Sequence, residues 1–291
     1  MLKPKGQMVE VQGRKMHIRQ MGAGDKTIVL MPGLNLGLPS VHFAPLMRDL
    51  SKKYTVCVVE HFGYGHSDPT DAPRSNENYV QEIREGLAGA GLRPPYVLMP
   101  YSISGIYAEY YASKYPEEIE KLILLDCTTT VEAASKEWDY TVDEIKELIE
   151  EVEAYTPRTE ERIKEIIKDE LEELMQQGYT EEEITELVSI ENDIRTIRAQ
   201  DMYVYKCICE VMTMEIPGEI HILAFSSSME QFDDDEERKE YEKHFAEYIA
   251  KFGERVKLVF VADSDHFGIA CEPKYRKIIC DEVDVFLGYG K

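Results

Sequence analysis

The sequence lacks any apolar run approaching the about 18–20 residues that a membrane span requires. It is also short of positive charge. Thirty-three Lys and Arg stand against 56 Asp and Glu, a formal net charge of −23. So large an acidic excess disfavours nucleic acids and anionic membranes as partners. The opening residues MLKPKGQMVEVQG lack the long apolar stretch of a secretory signal, so the expectation is a cytoplasmic protein. The six cysteines (Cys57, Cys127, Cys207, Cys209, Cys271, Cys280) form no CxxC pair and no regular framework. They are expected as reduced thiols, mostly small core residues. No G-x-G-x-x-G follows an apolar strand and no P-loop is present, so no nucleotide cofactor is indicated. His61 and His66 flank a glycine turn without a third ligand at metal spacing, and His17, His42, His221 and His244 form no metal set.

What the chain does have is material for a core. Hydrophobic residues make up 43% and aromatics 10% of 291 residues, and that length suits one large α/β domain or two small ones. MVEVQG and KMHIRQMG read as a hairpin of short strands. TIVLMPG, YTVCVVE, YVLMPYS and KLILLD are apolar runs of buried-strand character, and helical spacing occupies the stretches between them, including 43–52, 76–89 and SGIYAEYYASKYP. Buried strands alternating with helices predict a mostly parallel sheet with helices on both faces. The pattern breaks from 131 to 217, where apolar residues recur at three- and four-residue spacing (Ile145, Leu148, Val152; Ile163, Ile167, Leu171, Leu174) and no strand is expected. This stretch holds 25 acidic and 9 basic residues, a balance of −16, which reads as a solvated helical surface. The strand and helix alternation resumes with EIHILAF, a helix over 236–252, VKLVFVA and a closing helix over 273–287. The expected layout is a core of residues 1–130 and 218–291 interrupted by a helical cap, 131–217.

Chemistry concentrates at V97-L-M-P-Y-S-I-S-G105. An apolar strand ends at Ser102, with the small residues Ser104 and Gly105 just beyond it, and a helix begins at once. A serine on so sharp a turn projects its Oγ above the sheet, and the N–H of Ile103 lies at the helix N-terminus, where it can donate to an oxyanion. These residues resemble the nucleophile elbow G-x-S-x-G of the α/β-hydrolase superfamily, with Pro100 and Ser104 at the glycine positions and Gly105 directly after. TIVLMPGLNLG resembles that family's strand and His-Gly oxyanion turn, with Pro32 for the His and Gly33 kept. EHFGYGHSD resembles its D-x-x-G-x-G-x-S turn, with Glu60 for the Asp. ASKYPEEIEKLILLD resembles the passage after the elbow, and VADSDHFGIACEPKYRKIICDEVDVFL the closing strand, His loop and last helix. The matches run in the family's order over nearly the whole chain except the cap.

The resemblance implies the α/β-hydrolase fold and a serine hydrolase acting on a small acyl substrate, an ester or an amide, without cofactor or metal. Ser102 is the implied nucleophile, His266 in DSDHFG the base, and the N–H groups of Leu34 and Ile103 the oxyanion hole. The family's usual acid position falls near Ser228, where there is no Asp. Two substitutes remain: Asp126, which closes KLILLD at a spacing resembling the haloalkane dehalogenases, and Glu230. A serine at the elbow is unlike the Asp nucleophile of dehalogenases and epoxide hydrolases. Two further readings stay open: an enzyme for cationic or N-terminal-amine substrates, resembling prolyl aminopeptidases, and a non-catalytic binding protein on the same scaffold.

Overall fold

The computed structural model describes residues 5–130, 139–227 and 235–289. Eight strands form one sheet in the order β1-β2-β4-β3-β5-β6-β7-β8. β1 (Gln7–Val11) and β2 (Arg14–Met21) make the expected antiparallel hairpin, and β2 pairs antiparallel with β4 (Thr55–Val59). β4, β3 (Thr27–Met31), β5 (Tyr96–Pro100), β6 (Ile119–Leu125), β7 (His221–Ser227) and β8 (Val256–Val261) run parallel. The runs of β3, β4, β5 and β7 are continuous rather than alternating because both of their faces are covered.

Successive side chains on a strand point to opposite faces, so each strand feeds two cores. Val29, Cys57, Leu98 and Leu122 pack under α3 (Asn76–Gly89) and α4 (Ser104–Lys114). Ile28, Leu30, Val56 and Val97 face Leu46 and Leu50 of α2 (Ala44–Leu50), and Ile279 and Val283 of the closing helix. α3 starts where Ser75 accepts the Asn78 N–H, an N-cap bond. α4 stops at Lys114, two residues before Pro116, whose ring and missing N–H cannot continue it.

Between β6 and β7 the described residues hold helices alone: α5 (Val142–Ala154), α6 (Glu160–Gln177), α7 (Glu181–Ser189) and α8 (Ile194–Val211). α7 is fixed to the sheet side by a buried charge cluster. Glu183 accepts from Arg19 at 3.2 Å and from Arg48 at 2.8 Å. Burial raises its carboxyl pKa, but the hydrogen bonds from Arg48 and the Thr180 N–H outweigh this and hold it below the usual range. α8 is fixed by Asn76, whose amide donates to Cys207 O at 3.0 Å. The chain closes with α9 (Asp235–Ala250), α10 (Gly268–Cys271) and α11 (Pro273–Leu287). Among the described residues no helix is long and apolar enough to cross a membrane.

Candidate active site

The parallel strands deliver their C-terminal ends to one rim, where ligands bind in open α/β sheets. β3 is followed there by Pro32–Leu34, β5 by Tyr101 and Ser102, β6 by Asp126, and β8 by the loop carrying His266.

Ser102 has φ 56°, a left-handed conformation rare for a residue with a Cβ. It is half-buried, and the backbone holds it on both sides: its N–H reaches Leu125 O at 3.3 Å and its carbonyl accepts from the Thr128 N–H at 3.0 Å. Strain of this kind costs about 1–3 kcal/mol and persists only where neighbours enforce it. The two departures from the glycine pattern have local reasons. Pro100 is the last residue of β5, and its fixed φ suits a strand end whose own N–H is not needed. Ser104 donates its Oγ to Pro32 O, which ties the elbow helix to the turn after β3. The close approach instead falls at Gly105, where an added Cβ would stand 2.6 Å from Cys127 Cβ. Gly33 is tight to a lesser degree, since a Cβ there would meet Ser102 Cβ at 3.0 Å. The Leu34 turn is therefore pressed against the elbow. Among the described residues, neither the Leu34 nor the Ile103 N–H has a protein acceptor.

His266 Nδ1 lies 2.6 Å from Asp126 Oδ2, although 140 positions separate them. The His266 side chain is 22% exposed and that of Asp126 fully buried. Asp126 also accepts from the Ser227 N–H at 2.8 Å and from Ser227 Oγ at 3.1 Å. Three partners satisfy a carboxylate that would be costly to bury alone. With Nδ1 donating to Asp126, Nε2 is the unprotonated nitrogen of the neutral ring. Glu230, the other acid expected from sequence, lies outside the described residues.

Tyr101 completes the surround of His266. Its ring stacks on the imidazole at 4.8 Å, 18° from parallel, and its hydroxyl donates to His266 O at 2.7 Å. Burial pushes this phenol well above its ordinary pKa, so it remains a donor. His42 stacks on Tyr101 at 6.3 Å. Burial first, and the neighbouring His266 second, push His42 down to about 4. Sequence spacing carries no signal for these contacts, because stacking partners 165 positions apart leave no local pattern.

His61 and His66 part company. His61 is buried against Tyr79, ring centroids 3.8 Å apart, and burial holds it well below its ordinary pKa. His66 Nε2 pairs with Glu186 of α7 at 2.8 Å. Glu60 is buried and accepts from the His66 N–H at 2.7 Å and the Ser40 N–H at 3.2 Å. Among the described residues no group of three or more His, Cys, Asp or Glu is placed to hold a metal ion.

A cavity of about 450 Å³ opens beside the His266 loop, lined by His42, Leu174, Tyr179, Leu187, Phe267 and Cys271. A larger one of about 610 Å³ lies near Glu109 and Lys251, and neither cavity is lined by Ser102, Asp126 or His266.

The sheet order, the turn at Ser102 and the collinear rim segments define one class of protein, and comparisons with known proteins agree. A sequence model of the α/β hydrolase fold matches residues 26–157. With the sheet order described above, the chain has the α/β-hydrolase fold. It is similar to an uncharacterized Bacillus subtilis protein, YbdG, 40% identical over 126 residues that make up 43% of this chain and 39% of that one. It is also similar to the human serine hydrolase BPHL, 34% identical over 119 residues, 40% of each chain. The matches thus span about two fifths of the length of these curated relatives. A crystal structure of E-2-(acetamidomethylene)succinate hydrolase superposes with a TM-score of 0.66 at 14% identity, covering 97% of this chain and 98% of that one. At that identity the likeness speaks to fold.

Proposed function

We propose that the protein is a serine hydrolase that cleaves a small ester or amide through an acyl-enzyme on Ser102. The reading is carried by one observation: a buried, three-partnered Asp126 at 2.6 Å from His266 Nδ1, on the same rim as a serine in left-handed conformation. Nε2 of His266 takes the Ser102 proton as Oγ attacks the carbonyl carbon, and the bond to the leaving group breaks as His266 returns that proton to it. Water then repeats the sequence on the acyl-enzyme. The N–H groups of Leu34 and Ile103 hold the oxyanion, each worth about 3–4 kcal/mol in comparable enzymes. Asp126 fixes the tautomer and stabilises the imidazolium. Residues 131–217 act as a cap over this rim and set substrate choice. The protein works in the cytoplasm, independently of nucleic acid or membrane. The name of the BPHL relative, a serine hydrolase, agrees with this reading.

The test is hydrolysis of p-nitrophenyl esters by wild type and Ser102→Ala. The expected result is a loss of about 10⁴-fold or more in kcat. Unchanged turnover in the variant contradicts the assignment. An inert but folded wild type supports the non-catalytic reading instead.

A further inference from the structure

Gln200, near the middle of α8, is 1% exposed. Its Oε1 accepts from Tyr64 Oη at 2.8 Å, and its Nε2 donates to Tyr107 Oη at 3.1 Å. Each tyrosine leads to one of the two oxyanion donors. Tyr64 Oη also accepts the N–H of Asn35, directly after Leu34, at 3.2 Å. Tyr107 stands on α4, one turn beyond Ile103, and stacks on Tyr79 with ring centroids 3.8 Å apart.

The Leu34–Asn35 turn needs such support. Asn35 has φ 59°, a left-handed conformation that asparagine adopts more readily than most residues but that outside contacts can hold in place. The enforcement comes from α8 by two routes. Gln200 acts through Tyr64, and Arg198 Nη1 reaches Asn35 Oδ1 at 3.4 Å. Arg198 is itself held by Asp201 at 2.7 Å and Glu151 at 2.8 Å. A buried amide surrounded by tyrosines is costly unless every arm is used, and here both are.

We propose that Gln200 is a positioning residue for the oxyanion hole, holding the Leu34–Asn35 turn and the helix after Ser102 in one fixed relation. The proposal rests on the assignment of Leu34 and Ile103 as oxyanion donors. It gives an inserted helix a part in the chemistry without touching substrate. If the two donors drift apart they no longer point at one oxygen, and an error of about 1 Å in such a site costs up to about 100-fold in rate.

The experiment is hydrogen–deuterium exchange on the full chain, with p-nitrophenyl ester kinetics, for wild type, Gln200→Met and Tyr64→Phe. In Gln200→Met, exchange rises in both 33–37 and 103–110, and kcat falls about tenfold while KM stays within about twofold. In Tyr64→Phe, exchange rises in 33–37 alone. A folded Gln200→Met with unchanged exchange in either segment, or with wild-type kcat, overturns the proposal. If Gln200→Met does not fold, Tyr64→Phe decides, and unchanged exchange at 33–37 overturns it. Failure of the hydrolase reading shows separately, as a wild type without turnover, while the exchange pattern still reports the linkage.

Discussion

The rim of the sheet and the outer inserted helices are built on opposite terms. At the rim, Ser102 and Asp126 hold φ values of 56° and 47°, enforced by backbone hydrogen bonds to neighbouring strands and loops. α5 and α6 contain no buried residue. Their ends are set by local devices: a capping box at Thr141 and Glu144, an N-cap at Thr159, and a left-handed Gly178 at the C-terminus of α6. A reactive group can be held in an unfavourable conformation only where long-range contacts outvote local preference. A solvated helix can follow local preference throughout. α7 and α8 stand between these cases, with local caps but buried links to the rim.

The sharpest way to break the comparison is at Asp126. Asp126→Asn preserves size but supplies the wrong partner to Nδ1, and kcat is expected to fall by about 10²–10⁴-fold. Glu230→Gln should leave kcat within about twofold. The reverse order in steady-state kinetics would move the acid to Glu230.

The second test is at the join. Glu183→Ala leaves Arg19, itself buried, without its carboxylate. Breaking a buried pair from one side costs about 3–5 kcal/mol, and the expected loss lies near the lower figure because Arg48 is a third exposed. Urea unfolding measures it. A loss under about 1 kcal/mol would mean that α7 is held by its apolar contacts alone.

Acid should strain the rim region as well, by a smaller amount. His42 stays neutral in the fold down to about 4, whereas its ordinary value is 6.5. Between those two values the unfolded chain takes up a proton that the folded chain does not. The stability His42 contributes is therefore complete above about pH 6.5 and is lost as pH falls toward 4. The drop in Tm between pH 7 and pH 4.5 should be smaller in His42→Phe than in wild type. An equal drop in both contradicts the assignment of His42 as a buried neutral ring.

What could be read from the sequence follows the same division. Helices with a clear cap and period, 76–89 and 273–287, fall where expected, because Ser75, the apolar spacing and Pro273 are local signals. The buried strands and the helical stretch between β6 and β7 are legible for the same reason, whereas the α/β-hydrolase fold is legible only through the collinear motifs that resemble that family. Strand order was not, since β2 pairing with β4 rather than β3 leaves no mark on either run. The partner of His266 also lay beyond reach. Asp126 and Glu230 are both plausible as text, and the choice depends on a contact across 140 residues and on Ser227 at the end of β7. Gln200 carries no signal in the sequence, because a glutamine on a helix is ordinary until its amide is seen bonded to Tyr64, Tyr79 and Tyr107.

The central claim is that Ser102 is an activated nucleophile. Its most direct measurement is mass spectrometry of the intact protein and its peptides after exposure to a fluorophosphonate. The account predicts one adduct, on the peptide containing Ser102, formed in wild type and abolished in a folded His266→Ala variant. A folded wild type that takes up no adduct, or takes it up equally well without His266, would contradict it.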